Sequence, residues 1–244
     1  MEHKIINIIN KKVRLHSNHK IHESVRLGIL LAIVGGFLDA YTFVGRDGVF
    51  ANAQTGNIVL LGICAANGQF KEALLHIPPI LACITGVITV EAIKKYSAKL
   101  FLTDWTQIVL VIEILTIIIV GFIPNNISNI VVTVIISFIA SMQVSSFRKL
   151  VDSPYTTTMS TGNLRSASQA AFIAVTQKDR SAAIKAIRYF IIILSFIFGA
   201  FGGGILTLKF GEKAIWYTAI VLVLALIILR IEERKFNSTY SVFI

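Results

Sequence analysis

The sequence predicts an all-α, polytopic transmembrane helix bundle of about six spans, with two short helices led by Thr-Gly-Asn that re-enter the membrane. Composition, block patterning and a motif that occurs twice carry this prediction. The 244 residues are 55% hydrophobic and only 15% charged, against about 25% charge in a typical soluble domain. Mean hydropathy is +0.75. The apolar residues form blocks, such as 108–123 and 215–229, rather than amphipathic stripes. A helix that is apolar all round must lie in lipid or in a large core. About 20 residues cross a bilayer, so the chain has room for about six or seven crossings and none for a separate soluble domain.

The spans fall near 26–45, 74–94, 106–123, 128–147, 186–208 and 214–231. Residues 1–25 form a basic N-terminal segment and 232–244 a tail. No small-residue cleavage signal follows the N-terminal segment, so no removed signal peptide is expected. His16, His19 and His22 recur every three residues there. A solvated juxtamembrane helix that favours anionic headgroups outweighs a metal site. The formal charge of +10 is explained by basic residues that flank spans and set topology, which leaves nucleic acid no role as a partner. Cys64 and Cys83 read as small core hydrophobes, with neither disulfide nor metal spacing.

Two stretches fit no ordinary span. Residues 51–66 are short, and 156–176 are too polar for lipid, with Ser160, Thr161, Asn163, Arg165, Ser166, Ser168 and Gln169. Unpartnered polar groups cost several kcal/mol each in hydrocarbon, so such segments survive only enclosed by protein or lining a wet cavity. QTGNI at 54–58 matches STGNL at 160–164, and GGFLDAYTF at 35–43 aligns with IASMQVSSF at 139–147, setting Asp39 opposite Gln143. Gly86 aligns with Gly199. The chain therefore reads as two repeats, 26–123 and 128–231.

Charge selects the topology. If both short helices cross fully, Lys94, Lys95 and Lys99 fall opposite the basic N-terminus and the uncharged PNNISN loop at 124–129 becomes cytoplasmic, against the positive-inside tendency. If each returns to its own side, both termini, Lys94–Lys99, Arg148 with Lys149, Lys178–Arg188 and Arg230–Lys235 are cytoplasmic. Three spans per repeat then invert one repeat relative to the other, as in many secondary transporters.

The motif suggests a binding role for Thr55, Gly56, Asn57, Thr161, Gly162 and Asn163. The threonines are expected as N-caps, the glycines as points of close approach and the asparagines in the first turn. Two helix N-termini facing each other suit an anion, a carboxylate or a polar solute. The same small and amide residues also serve helix packing. Asp39 and Glu113 are the intramembrane acids. A bare carboxylate at the bilayer centre costs about 3 kcal/mol on insertion scales, so Glu113 must be protonated, paired or facing a cavity. It is a candidate coupling site, or a structural hydrogen bond. Gln143 is expected to bond Asp39 if the first and fourth spans meet. Arg165 would neutralise Glu113, attract an anionic solute or reach cytoplasmic water. Gly199, Gly202, Gly203 and Gly204 suggest close packing of the fifth span, and leave room for a homo-oligomer there. No nucleophile–base, phosphate-loop or metal motif is present. No enzyme activity, cofactor or metal is expected.

GFLDAYTF, GVFANAQTGNIVLLG, the single acid of the third span and TTTMSTGNL together resemble the YoaK family of bacterial membrane proteins over about 26–231. The resemblance implies a bacterial cytoplasmic-membrane protein of about six spans and brings no substrate. The leading functional expectation is a small-solute permease with its site between the two Thr-Gly-Asn helices. The rival is a non-transporting assembly or sensor protein whose polar residues serve packing.

Overall fold

The computed structural model describes residues 23–100, 104–124, 127–151 and 153–241. The histidines at 16, 19 and 22 lie outside them. The helices are α1 (Val25–Gly45), α2 (Gln54–Ala66), α3 (Phe70–Leu75), α4 (Ile77–Leu100), α5 (Trp105–Val120), α6 (Asn129–Ser146), α7 (Ser160–Gln177), α8 (Arg180–Phe210) and α9 (Trp216–Ser241). A 3-10 turn, Gly211–Ile215, joins α8 to α9. Two-residue strands β1 (Lys149–Leu150) and β2 (Ser153–Pro154) pair antiparallel between α6 and α7.

Local chemistry sets the boundaries. Pro78 and Pro79 sit in the first turn of α4, where a missing N–H is harmless, so the second span starts later than its apolar block and α3 stands apart from it. Asp104 caps α5, its Oδ1 accepting from the Thr106 amide at 3.1 Å. Asp179 caps α8 in the same way, from the Ser181 amide at 2.7 Å. That cap draws Arg180, Ser181 and Lys185 into α8, which is longer than its apolar core. Gly211, at φ +58, ends α8 in a conformation that a side chain would strain.

Stretches 25–45, 70–96, 129–146 and 180–234 are long and apolar enough to cross a membrane, the last holding both α8 and α9. Helices α2 and α5 are apolar but shorter.

Contacts at the two ends fix the helix directions. Helix α6 runs against α1: Arg46 Nη1 donates to Asn129 Oδ1 at 2.9 Å at one end, and the Val151 amide to the Glu23 carbonyl at 2.7 Å at the other. Helix α8 runs with α1, Gly28 lying beside Ile192 and Phe37 beside Gly203. Helix α9 returns, so that Ser24 Oγ donates to Glu232 at 3.0 Å. It runs against α5, with Trp216 Nε1 on the Ile118 carbonyl at 3.3 Å at one end and Gln107 bonded to Glu233 at the other. Helix α4 runs with α6, Gly86 facing Phe138 and Ser141 and, further along, Lys94 Nζ reaching the Ser145 carbonyl at 3.5 Å. Thus α1, α4, α5, α6, α8 and α9 alternate in direction.

Helix α1 packs most extensively on α8, and α4 on α6. Both contacts use glycine to bring backbones together. A Cβ on Gly199 would meet the Ile33 carbonyl, one on Gly36 the Phe196 carbonyl, and one on Gly86 the Ser141 hydroxyl and the Phe138 carbonyl. Gly202 and Gly204 face open space. The main core joins Leu31, Val34 and Leu38 of α1 to Leu110 and Ile117 of α5, Ile136 and Ile139 of α6, and Leu222 and Leu229 of α9.

Candidate functional site

After α1 ends, the chain folds back along it. The Asn52 amide donates to Asp39 Oδ1 at 2.7 Å, the Asn52 side chain to the Gly35 carbonyl at 3.1 Å, and the Ala51 amide to Thr42 Oγ1 at 3.1 Å. Gly35 lies ten residues before the end of α1 at Gly45, about 15 Å along its axis. The other loop reaches the same residue from the opposite end of the bundle. A Cβ on Gly35 would lie 2.6 Å from Thr158 Cγ2 and 3.5 Å from the Thr157 carbonyl. The two loops that lead the Thr-Gly-Asn helices therefore meet at the middle of α1. From there α2 leads back towards the Gly45 end and α7 towards the Val25 end. The helix bodies do not pack on each other among the described residues: α2 packs on α3 and α4, and α7 on α8.

The two asparagines occupy matching positions. Asn57 Nδ2 donates to the Phe50 carbonyl at 2.9 Å, and Asn57 Oδ1 accepts from the Phe50 amide at 3.3 Å. Asn163 does the same to Thr156, at 2.7 and 3.3 Å. Each amide closes its own entry loop seven residues upstream, and both are buried. A side-chain amide can satisfy a peptide's donor and acceptor together, so Asn fits this position and Asp does not. Asn57 also donates to Gln54 Oε1 at 3.0 Å.

The threonines stand otherwise than expected. Helices α2 and α7 start at Gln54 and Ser160, with Ala53 and Met159 at the N-caps and no side-chain cap. Thr55 and Thr161 fall inside the first turn and are exposed, because Asn57 and Asn163, not the threonines, fasten the loop ahead of each helix. Gly56 packs under the Phe50 ring, where a Cβ would come within 3.0 Å, while Gly162 has no neighbour within 4 Å.

Gln143 does not bond Asp39. Its Nε2 donates to Glu113 Oε1 at 2.9 Å, with both residues 1% exposed. The Asp39 carboxylate is instead turned to the Asn52 amide. The cause is helix direction: α6 runs beside α5 as well as against α1, and at the level of Gln143 its amide faces α5. Glu113 Oε2 is buried without a partner among the described residues. Arg165 is exposed on α7 and makes no ion pair among the described residues, so it does not neutralise Glu113. Near the end of α4, Lys94 Nζ lies 2.7 Å from Glu91 Oε1, an ion pair three residues apart on one helix.

Three residues without a periodic signal join the site. Asn52 bridges the first loop to Gly35, Thr158 covers the other side of Gly35, and Thr157 is 1% exposed with a hydroxyl that has no partner among the described residues. The one sequence hint is their position immediately ahead of the repeated motif. Beyond the site, Arg46 is buried at the end of α1, its Nη2 on Tyr41 Oη at 3.0 Å. The Tyr41 hydroxyl in turn donates to the Glu212 carbonyl at 3.1 Å.

Apolar helices of spanning length, closed around a buried carboxyl–amide pair, define an α-helical integral membrane protein. Residues 27–228 match the family described as "Protein of unknown function (DUF1275)", and the chain belongs to that family. The match supports the expected resemblance as far as an uncharacterised family domain across the membrane region; it does not carry the YoaK name. No curated protein and no solved structure matches the chain.

Proposed function

We propose that this protein is a permease for a small polar solute, anions included, with its site where the two Thr-Gly-Asn loops meet. The observation that carries the reading is their convergence on Gly35 from opposite ends of the bundle. Irregular backbone at such depth is tolerated only where protein encloses it or it lines a wet cavity, and broken helices meeting at the midplane are how many transporters build a substrate site. Two inverted repeats, each of three spans and one re-entrant helix, fit the alternating helix directions. They also fit the matching bonds of Asn57 and Asn163 and the matched packing of α1 on α8 and α6 on α4. The α1-start end carries Lys94, Lys95, Arg148, Lys149, Lys178 and Arg230. It is therefore the cytoplasmic end of a bacterial cytoplasmic-membrane protein, with both termini inside.

In this reading Asn57 and Asn163 fix the loop shape. Thr55, Thr161 and the backbone at Gly56 and Gly162 face the solute, together with Asn52 and Thr157. Asp39 holds the entry of α2, Glu113 with Gln143 is the coupling acid, and the exposed Arg165 draws anions towards α7. The topology predicts that single cysteines at Asn67 and Gln177, both exposed, label from opposite faces: Asn67→Cys in intact cells with an impermeant maleimide, Gln177→Cys only after the membrane is opened. Labelling of both in intact cells overturns the inverted arrangement.

The function itself is tested in proteoliposomes with a panel of amino acids, carboxylates and inorganic anions, with and without a pH gradient. Uptake of one class that responds to the gradient, and loses that response in Glu113→Gln, is expected. No flux of any class leaves the second reading, a non-transporting assembly or sensor protein, which the use of both asparagine amides on their own loops favours.

A further inference from the structure

A cleft of about 460 Å³ opens between α7 and the first turns of α8, away from the meeting point of the loops. Ala170, Ala182 and Tyr189 make a buried apolar floor. The Tyr189 hydroxyl closes the inner end by donating to the Pro154 carbonyl at 2.6 Å. Ser166 and Gln169 of α7 and Lys185 of α8 supply donors at the rim. Asp179 also lines the cleft, but its Oδ1 is taken up by the Ser181 amide as the cap of α8. Lys185 makes no ion pair among the described residues. Between 178 and 188 the hairpin carries Lys178, Arg180, Lys185 and Arg188 against the single acid Asp179, a net charge of four minus one, or +3. The cleft lies level with the start of α1: Pro154 pairs across from Lys149, whose Nζ is 3.7 Å from Glu23 Oε1, two residues before that helix.

We propose that this cleft binds a phosphoester, its charged oxygens on Lys185, Ser166 and Gln169 and its carbon part on the alanine and tyrosine floor. A volume of this size suits a small ligand, and an apolar floor under a cationic, donor-rich rim suits an amphiphile that carries a phosphate. The phosphoester comes either from an anionic lipid headgroup in the adjoining leaflet or from a soluble metabolite. Because α7 is the helix led by the second Thr-Gly-Asn motif, occupancy clamps that helix to α8. The proposal does not depend on solute transport.

The full-length protein in detergent is titrated with phosphatidylglycerol and with phosphatidylcholine, and separately with glycerol phosphate, following its tryptophan fluorescence and thermal unfolding. Wild type is expected to bind phosphatidylglycerol or glycerol phosphate about tenfold more tightly than phosphatidylcholine, a phosphoester whose quaternary ammonium offsets the phosphate charge and is repelled by the basic rim. Lys185→Glu removes that preference. Arg230→Glu, an equal change of charge at the same end of the bundle but on α9, retains it. Ser166→Leu, which crowds the cleft without changing charge, gives the same loss as Lys185→Glu while the protein without ligand still melts cooperatively. Phosphatidylglycerol binding that glycerol phosphate does not displace identifies the lipid as the source; displacement identifies the soluble phosphoester. Equal loss in Lys185→Glu and Arg230→Glu, or loss in neither, overturns the cleft as the site.

Discussion

Gly199→Leu is expected to cause a large loss of stability in the bundle. The new Cβ alone runs into the Ile33 carbonyl, with the Ile33 carbonyl carbon and Cα each 2.7 Å away. These are backbone atoms of a helix, and no rotamer change relieves them. Overpacking a core typically costs 1–3 kcal/mol where side chains can shift. Here α1 and α8 must separate along the most extensive helix contact among the described residues, so a loss above about 3 kcal/mol is expected. Gly202→Leu, three residues on and facing open space, should change stability by no more than about 0.5 kcal/mol. Thermal unfolding in detergent, followed by circular dichroism, separates the two. Equal melting temperatures would show that α1 does not pack on α8 through Gly199.

Gln143→Ala should produce the next largest loss. It strips Glu113 of the hydrogen bond to Oε1 and leaves both carboxyl oxygens buried without partners among the described residues. An unsatisfied buried polar group costs about 1–3 kcal/mol, and more if charged. The double replacement Glu113→Leu with Gln143→Leu removes donor and acceptor together and should recover most of the loss. The coupling energy in this double-mutant cycle is expected to exceed about 1 kcal/mol. If Gln143→Ala alone costs less than about 0.5 kcal/mol, water reaches the acid and the pair is not sealed.

The helices were readable because lipid-scale apolar blocks have few alternative fates. The repeated motif was readable because Gln-Thr-Gly-Asn and Ser-Thr-Gly-Asn fall at the same place after aligned spans. What those residues do was less accessible. Asn57 and Asn163 look like first-turn groups aimed outward, yet they bond backwards to Phe50 and Thr156, a contact that depends on the path of an irregular loop. The Glu113–Gln143 pair was hidden for another reason. Alignment placed Gln143 opposite Asp39, but equivalence in a repeat fixes position, not the neighbour that a side chain meets. Small residues in the fifth span announced close packing, and only the helix rotation assigned Gly199 and Gly203 to α1 while leaving Gly202 and Gly204 outside it. Asn52, Thr157 and Thr158 carried no periodicity at all.

The pairing of α1 with α8, and of α4 with α6, has a bearing on biogenesis. Helix α1, made early, finds its main partner only near the end of translation. At about 5–20 residues per second, Ile33 waits roughly ten to thirty seconds for Gly199 to be made. Until then the face of α1 that bears Gly36 lacks the α8 backbone at Phe196 and Ala200 that closes over it, whereas Asp39 meets the Asn52 amide only thirteen residues after it is made.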